Sequence, residues 1–215
     1  MDHEEEYEDR YGPLRWIGAV FLLLLLVVWL IPLETIPLNP EPSNRLSLSE
    51  AIAGLDLSSE RDESLVNQAS DYVSRVDSKN QFVKTVADRI VSAGCGSERI
   101  CHAKALFYFV RDELNYVSDP SAYEYVKGPL ESLQSTAGDC DDASVLLASM
   151  LGAVGIKSRF VFVPGHVYVE AYIPDAPNRY TQEGGWIVVD GTCSNCKFGE
   201  LALAYAEMEK KYTTS

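Results

Sequence analysis

The residue best suited to covalent chemistry is Cys140, in the run Gly138-Asp-Cys-Asp-Asp142. Asp139 is a plausible N-cap and Gly155 a plausible end for the helix that follows. Apolar residues recur at helical spacing and predict an amphipathic helix with one buried face: Ala143, Leu146, Leu147, Met150, Leu151 and Val154. Free N–H groups and the helix dipole at this start favour a thiolate. Cys140 is therefore predicted to be a nucleophile, with a buried structural cysteine as the alternative.

Two downstream residues supply the partners that a nucleophilic cysteine needs. His166 follows Pro164-Gly165 at the start of a predicted strand, and Asp190 ends the next apolar strand. This order can bring all three side chains to one edge of a sheet, where the imidazole would accept the thiol proton and the carboxylate would fix the tautomer. The alternatives are a capping histidine and a simple turn aspartate. Of the three histidines, His3 lies in the N-terminal tail and His102 in an upstream helix.

The motifs around these residues resemble the transglutaminase-like superfamily, which is related in fold to the papain-like cysteine proteases. The resemblance covers Ala103 to Thr192 and is carried by four segments: Gly138–Asp142, Gly155–Arg159, Gly165–Glu170 and Trp186–Asp190. It implies an α+β fold in which N-terminal helices pack on an antiparallel sheet. It also implies Cys140 as nucleophile, His166 as general base and acid, and Asp190 as the residue that orients the histidine. The reaction stays open, because such domains include cross-linking enzymes, peptidases, amidases and inactive relatives.

The three carboxylates beside Cys140 work against its ionisation. Asp139, Asp141 and Asp142 are expected to cap the helix and to interact with its dipole, but their negative charges oppose a thiolate. The thiolate would then depend on an ion pair with His166. The Cys140 backbone N–H is the natural first oxyanion donor. Gln134 resembles a papain-type second donor only loosely, so no second donor is assigned.

Composition limits the classes of function. The chain has 215 residues and a formal net charge of −14, and 47% of its residues are hydrophobic. This length allows a membrane anchor and one domain with a sizeable core. Nucleic acid is excluded as a partner, because neutralising phosphates needs clustered Lys and Arg.

The N-terminal part predicts a membrane anchor. Residues 1–15 form a short acidic tail, and residues 16–33 carry no charge over a length that just spans a bilayer. A cleaved signal peptide and a buried helix are the rivals; the acidic start and the prolines that follow argue against the former. Basic residues before the span weakly favour a single-pass protein of the cell membrane with its domain outside the cytoplasm. Residues 34–48 form a Pro-rich linker, and residues 49–215 form the domain.

The remaining elements of the domain are predicted from periodicity. Helices are expected over Ser49–Leu57, Glu63–Val76, Gln81–Ala93, Ile100–Leu114 and Phe198–Tyr212, the last on the outside of the domain. Tyr116-Val117 is a short extended piece, and strands are expected over Lys157–Val163, Val167–Ile173 and Trp186–Asp190. Between residues 120 and 134 a loop with one helical turn carries Tyr123 and Tyr125, which could line a cleft or pack against the helix that follows.

Four further cysteines form two groups, Cys95-x5-Cys101 and Cys193-x2-Cys196. In an oxidising compartment they predict two disulfides, whose pairing within or between the groups is open. In a reducing compartment the same four thiols could bind zinc, with His102 as an alternative ligand. No other cofactor is expected.

These features lead to three hypotheses of function. The first is a membrane-tethered thiol enzyme that attacks amide bonds of proteins or peptides through Cys140, His166 and Asp190, and forms a thioester. The second is a non-catalytic binding or scaffold domain of the same fold at the membrane surface. The third is a zinc-dependent module. The sequence does not identify the substrate or the acyl acceptor.

Overall fold

The computed structural model describes residues 12–30, 39–56, 69–119, 125–181 and 183–214. The chain divides into two units, Met1–Leu38 and Asn39–Ser215. In the first, helix α1 spans Gly12–Leu30 and has no buried residue. Within the described residues, α1 is the one helix that is long and apolar enough to cross a membrane. Signal sequences near an N-terminus have the same length and composition. Most of the predicted acidic tail and the end of the predicted span lie outside the described residues.

Helix α7, Cys140–Ala153, lies at the centre of the second unit. It was expected to bury one face, but every residue from Asp141 to Leu151 is buried. The reason is its composition, because small residues occupy positions on the faces that the large apolar ones leave: Ser144, Ala148 and Ser149. Their size lets other helices and the sheet pack around α7 on several sides.

Four antiparallel strands form the main sheet in the order β5-β4-β3-β6. Their bounds are β3 Ser158–Val163, β4 His166–Tyr172, β5 Trp186–Val189 and β6 Lys211–Thr214. The three predicted strands correspond to β3, β4 and β5. A tight turn at Pro164-Gly165 joins β3 to β4, and Gly165 has a φ of 76° that favours glycine. This turn places His166 as the first residue of β4.

The predicted C-terminal helix over Phe198–Tyr212 is wrong. The structure has a four-residue helix α8, Leu203–Ala206, followed by strand β6, which pairs with β3. Pairing across the sheet edge overrides the local helical pattern, and the aromatic and β-branched residues of β6 suit a strand. The segment before β6 covers the face of the sheet that points away from α7. A second small core forms there, from Val161, Val163, Tyr168 and Val188, with Leu201 and Tyr205 packed against it.

The other helices pack beside α7, and their bounds are α2 Leu48–Ala51, α3 Ala69–Arg75, α4 Gln81–Gly94, α5 Arg99–Glu113 and α6 Pro129–Ser135. Helices α4 and α5 agree with the prediction. The predicted first helix is shorter, and part of the predicted second helix, residues 63–68, lies outside the described residues. Two short strands, β1 Asn115–Tyr116 and β2 Ala137–Gly138, pair in parallel and bring Tyr116 beside the residue that precedes the cap of α7.

Part of the predicted linker lies on the domain. The buried Lys104 Nζ donates to Asn39 Oδ1 at 2.7 Å and to the Glu41 carboxylate. A fully buried ammonium is costly unless it is paired, and these oxygens supply the partners. Residues from Asn39 onward therefore belong to the second unit. The rest of the predicted linker, residues 34–38, lies outside the described residues.

Candidate active site

A capping box fixes the position of Cys140. Asp139 is the N-cap of α7 and accepts a hydrogen bond from the Asp141 N–H, while Asp142 reaches back to the Asp139 N–H at 3.3 Å. Gly138 is required by close packing, since a Cβ there would lie 2.5 Å from the Asp142 Cβ. Within the described part of the chain, the Cys140 backbone N–H makes no hydrogen bond. The helix start therefore presents both a thiol and an open donor.

Asp142 is held by a cation from outside the helix. Its side chain is fully buried, and it accepts from the Lys127 backbone N–H at 2.7 Å and from the Lys127 ammonium. Because a buried carboxylate is stable only with charged and hydrogen-bonded partners, this pair fixes Asp142. Asp142 in turn fixes the backbone that leads into Cys140.

His166 and Asp190 are in direct contact. His166 Nε2 lies 2.9 Å from Asp190 Oδ2, and the other oxygen, Oδ1, accepts from the Thr192 N–H at 3.1 Å and the Thr192 hydroxyl at 2.8 Å. Burial opposes ionisation of Asp190, but its bonds from His166 and Thr192 outweigh it, so its pKa is below the ordinary value. An ionised carboxylate only accepts, so Nε2 carries the hydrogen, and Nδ1 is the acceptor of the neutral ring.

Helix α7 is joined to the strand that begins with His166. The Ser144 hydroxyl, one turn after Cys140, donates to the Val167 carbonyl at 3.2 Å, and the Val167 backbone N–H acts to lower the pKa of Cys140. Sγ itself donates to Asp141 Oδ1 at 3.4 Å. Among the described residues, no hydrogen bond joins Sγ to the His166 ring. The structure thus brings His166 and Asp190 together and ties the strand of His166 to α7, while the Cys140 thiol at the start of α7 is hydrogen-bonded to Asp141.

The surroundings of Cys140 favour the protonated thiol. Burial, followed by the charge of Asp141 and then that of Asp139, raises the pKa of Cys140 to about 12, although the Val167 backbone N–H opposes the rise. The helix start was expected to favour a thiolate and the adjacent carboxylates to oppose one. The causes that raise the pKa of Cys140 are the lost hydration and these carboxylates.

A cavity of about 280 Å³ opens beside His166 and Asp190. Its other lining residues are polar, aromatic or small: Tyr116, Thr192, Cys193, Ser194, Asn195, Ala202 and Tyr205. The Tyr205 ring stacks on His166, with centroids 4.4 Å apart and planes 17° apart.

Sequence reasoning missed most of this lining. Thr192 could have been found, because Asp-Gly-Thr is a turn sequence in which the aspartate accepts from the residue two positions on. No local signal marks Tyr205, which lies in the segment that was predicted as a helix.

Gln134 and Tyr125 do not line this cavity. Gln134 is exposed on α6. Tyr125 donates its hydroxyl to Glu131 at 2.7 Å, and Tyr123 lies outside the described residues. Gln134 therefore gains no support as a second oxyanion donor.

All four remaining cysteines form disulfides within their own groups, Cys95–Cys101 and Cys193–Cys196, so Cys140 is the free thiol. Zinc binding by these four would require both bonds to be reduced. A further grouping of possible ligand atoms, from Asp139, Cys140 and Asp141, lies within 4.8 Å. Those groups are engaged in capping α7, in the thiol hydrogen bond and in a bond from Tyr72.

Comparison with known proteins identifies the fold. The family model described as Transglutaminase-like superfamily matches residues 84–191, half of the chain, and confirms the predicted fold class. No curated protein matches. One similar solved structure is LapG of Legionella pneumophila, at 17% identity over 79% of this chain and 83% of that chain, with a TM-score of 0.42.

Two other solved structures are also similar. A candidate protease of Parabacteroides distasonis is 18% identical over 48% of this chain and 24% of that chain, with a TM-score of 0.40. A candidate cysteine protease of Cytophaga hutchinsonii is 15% identical over 69% and 57%, with a TM-score of 0.36. The chain thus spans about a quarter of the first of these two proteins.

Proposed function

Because the chain belongs to the transglutaminase-like superfamily, we propose that it is a thiol enzyme that acts on amide bonds of proteins or peptides. One observation carries the proposal. The Nε2–Asp190 bond of 2.9 Å leaves Nδ1 of His166 as a proton acceptor, on a strand whose second residue, Val167, accepts a hydrogen bond from Ser144, one turn after Cys140 on α7. A nucleophile, a base and a group that orients the base are the components of acyl transfer.

The first half of the reaction forms a thioester. As Sγ attacks the carbonyl carbon, His166 Nδ1 takes the thiol proton and the carbonyl oxygen becomes an oxyanion. The open Cys140 N–H at the start of α7 is the donor that can stabilise this charge. The C–N bond then breaks, and the imidazolium gives its proton to the leaving amine.

The second half of the reaction releases the enzyme. Water or an amine attacks the thioester while His166 accepts its proton, and Sγ leaves and is reprotonated. Water makes the protein a peptidase or amidase, whereas a lysine-type amine makes it a cross-linking enzyme.

The high pKa of Cys140 decides how the proton moves. A thiol with a pKa of about 12 is almost fully protonated at neutral pH, so a standing thiolate is a minor species. We therefore assign His166 the role of a general base that acts during attack. Rotation of Sγ away from Asp141 is required first, because the thiol hydrogen bonds to that carboxylate in the resting state.

Attachment to a membrane is part of the proposal. Helix α1 has the length and the apolar composition for a single span, and two disulfides in the domain are typical of proteins in oxidising compartments. Both support an anchored protein with its domain outside the cytoplasm. Labelling of the domain by a membrane-impermeant reagent in intact cells tests this orientation, and protection from that reagent would contradict it.

Casein serves as the substrate in a test of whether the chain acts on amide bonds. The full chain in detergent is incubated with casein and dansylcadaverine, and new amino termini and incorporated dansyl groups are both measured. The expected result is one or both products from the native chain and neither from the Cys140→Ala and His166→Ala variants. Asp88→Asn, on the exposed side of α4, is the matched control. Products that persist in Cys140→Ala at the native rate would contradict the proposal.

One observation favours the non-catalytic alternative. The Cys140 thiol is hydrogen-bonded to Asp141 Oδ1, and Cys140 is not among the residues that line the cavity beside His166. Two results together would support a binding or scaffold domain. The native chain would form neither product, and its Cys140 would react no faster than Cys140 in the His166→Ala variant.

A further inference from the structure

The ring of Tyr205 covers one face of His166, the proposed general base. It stacks on His166 with a centroid separation of 4.4 Å and an angle of 17° between the planes. Tyr205 comes from α8, which follows the three proposed catalytic residues in the chain and lies outside the segment that matches the family. The stack is therefore a feature of this chain's own C-terminal segment.

The position of Tyr205 does not depend on His166. Its backbone N–H donates to the Ala202 carbonyl at 2.9 Å, and its side chain packs against the second small core on the outer face of the sheet. Beyond it, the chain is fixed by the pairing of β6 with β3. Because these contacts hold the phenol in place, the ring is a fixed surface against which the imidazole rests.

A fixed surface restricts the two rotations of the imidazole that the hydrogen bond to Asp190 leaves possible. A single hydrogen bond at Nε2 allows the ring to rock about the axis through that bond and to depart from the plane that aims Nδ1. Rotation about the Cβ–Cγ bond is also broad for a histidine, since it joins sp³ and sp² atoms. Stacking on Tyr205 opposes both movements and shields one face of the ring from water.

We propose that Tyr205 is a positioning residue, which holds the His166 ring in the plane that aims Nδ1 at the thiol of Cys140. The inference rests on the proposed function, because it assigns a role through His166 as general base. The phenol hydroxyl has no part in this role, so the aromatic face alone should suffice. An aromatic face also favours a cation over it by about two- to five-fold at partly exposed sites, which assists the imidazolium formed during attack.

The titratable groups near the imidazole come from four parts of the chain. They are Asp190 after β5, Tyr168 on β4, Tyr116 on β1 and Tyr205 on α8. Of these, Asp190 makes the hydrogen bond to the ring, and Tyr205 makes the closer of the two ring stacks, since Tyr168 lies 6.1 Å away.

The test uses acetylation of Cys140 by p-nitrophenyl acetate in the full chain in detergent, followed by release of p-nitrophenol and by the mass of the thioester. We expect Tyr205→Leu to acetylate about 10- to 100-fold more slowly, the range that misplacement of a catalytic group produces. Tyr205→Phe should retain the native rate. Leu203→Ala, at an exposed apolar residue of the same helix α8, is the matched control and should also retain it.

A double variant separates positioning from a general structural effect. If Tyr205 acts through His166, Tyr205→Leu adds nothing once His166 is replaced by Ala. The ¹⁵N shifts of the His166 ring provide a second readout, and they should change from a single Nε2–H tautomer to a mixture in Tyr205→Leu alone. Additive losses in the double variant, or a native rate and native tautomer in Tyr205→Leu, would overturn the inference and leave the proposed function standing. An unchanged rate in His166→Ala would overturn both.

Discussion

The carboxylate of Asp141 is expected to suppress the reactivity of Cys140, and its removal should make the thiol more acidic. Asp141 is 7% exposed, and its Oδ1 lies 3.4 Å from Cys140 Sγ. Asp141→Asn removes the charge but keeps an oxygen that can accept the bond from the Tyr72 hydroxyl. The substitution therefore isolates the electrostatic contribution with little change of shape.

The size of the effect follows from the distance. Two unit charges 3.4 Å apart interact by about 1.2 kcal/mol at the dielectric constant of water and by about 4.9 kcal/mol at an effective value of 20. The smaller figure alone corresponds to about one pH unit in the pKa of Cys140. At a pH below that pKa, the thiolate fraction then rises about 10-fold. Because a more acidic thiolate is a weaker nucleophile, alkylation accelerates about 3-fold as a lower limit.

Alkylation by iodoacetamide measures this directly, because Cys140 is the single free thiol beside two disulfides. Rates are compared between the native chain and Asp141→Asn at about pH 8 to 9, with the full chain in detergent, and thermal unfolding confirms that the variant is folded. Asp88→Asn, which is exposed on α4, is the control and should leave the rate unchanged. An equal or slower rate in a folded Asp141→Asn chain would refute the electrostatic account of the Cys140 pKa.

Three further predictions concern the residues that hold the site in place. Gly138→Ala forces a Cβ to within 2.5 Å of the Asp142 Cβ, so thermal unfolding should show a loss of about 1–3 kcal/mol, and an unchanged midpoint would contradict the required close packing. Lys127→Met leaves the buried Asp142 without its cation and should cost about 3–5 kcal/mol in the same measurement, whereas Lys84→Met, at an exposed pair, should cost little. The lowered pKa of Asp190 means that its stabilising contribution is present above the ordinary value of about 3.9 and is lost as the pH falls below it. The difference in unfolding midpoint between the native chain and Asp190→Asn should therefore be full near neutrality and shrink below about pH 4, and a difference independent of pH would contradict this.

The fold was largely predictable where the pattern is local. The apolar spacing after Cys140 and the alternation from Val167 to Ile173 predicted α7 and β4, because helix and strand periods are properties of neighbouring residues. The C-terminal segment was not predictable in this way. Strand β6 forms because it pairs with β3, about fifty residues earlier in the chain, and no local period reports such a partner.

The candidate site, like the fold, could be predicted from the sequence only in part. Residue type and order predicted that Cys140, His166 and Asp190 converge, and the direct His166–Asp190 bond agrees with that prediction. The sequence predicted that the adjacent carboxylates oppose ionisation of Cys140, but it could not show how much water the folded chain removes from the thiol or how Asp141 is oriented, and both raise the pKa of Cys140. Tyr205 was missed for a similar reason, since its contact with His166 exists only once α8 and β6 are in place.

The central claim is that His166 takes the proton of Cys140 as a thioester forms. The most direct measurement is the rate of Cys140 acetylation by p-nitrophenyl acetate at neutral pH in the native chain and in His166→Ala, with the thioester located by mass spectrometry. The account predicts a rate at least about 100-fold higher in the native chain, the usual contribution of a positioned general base. Equal rates in the two folded proteins would contradict it.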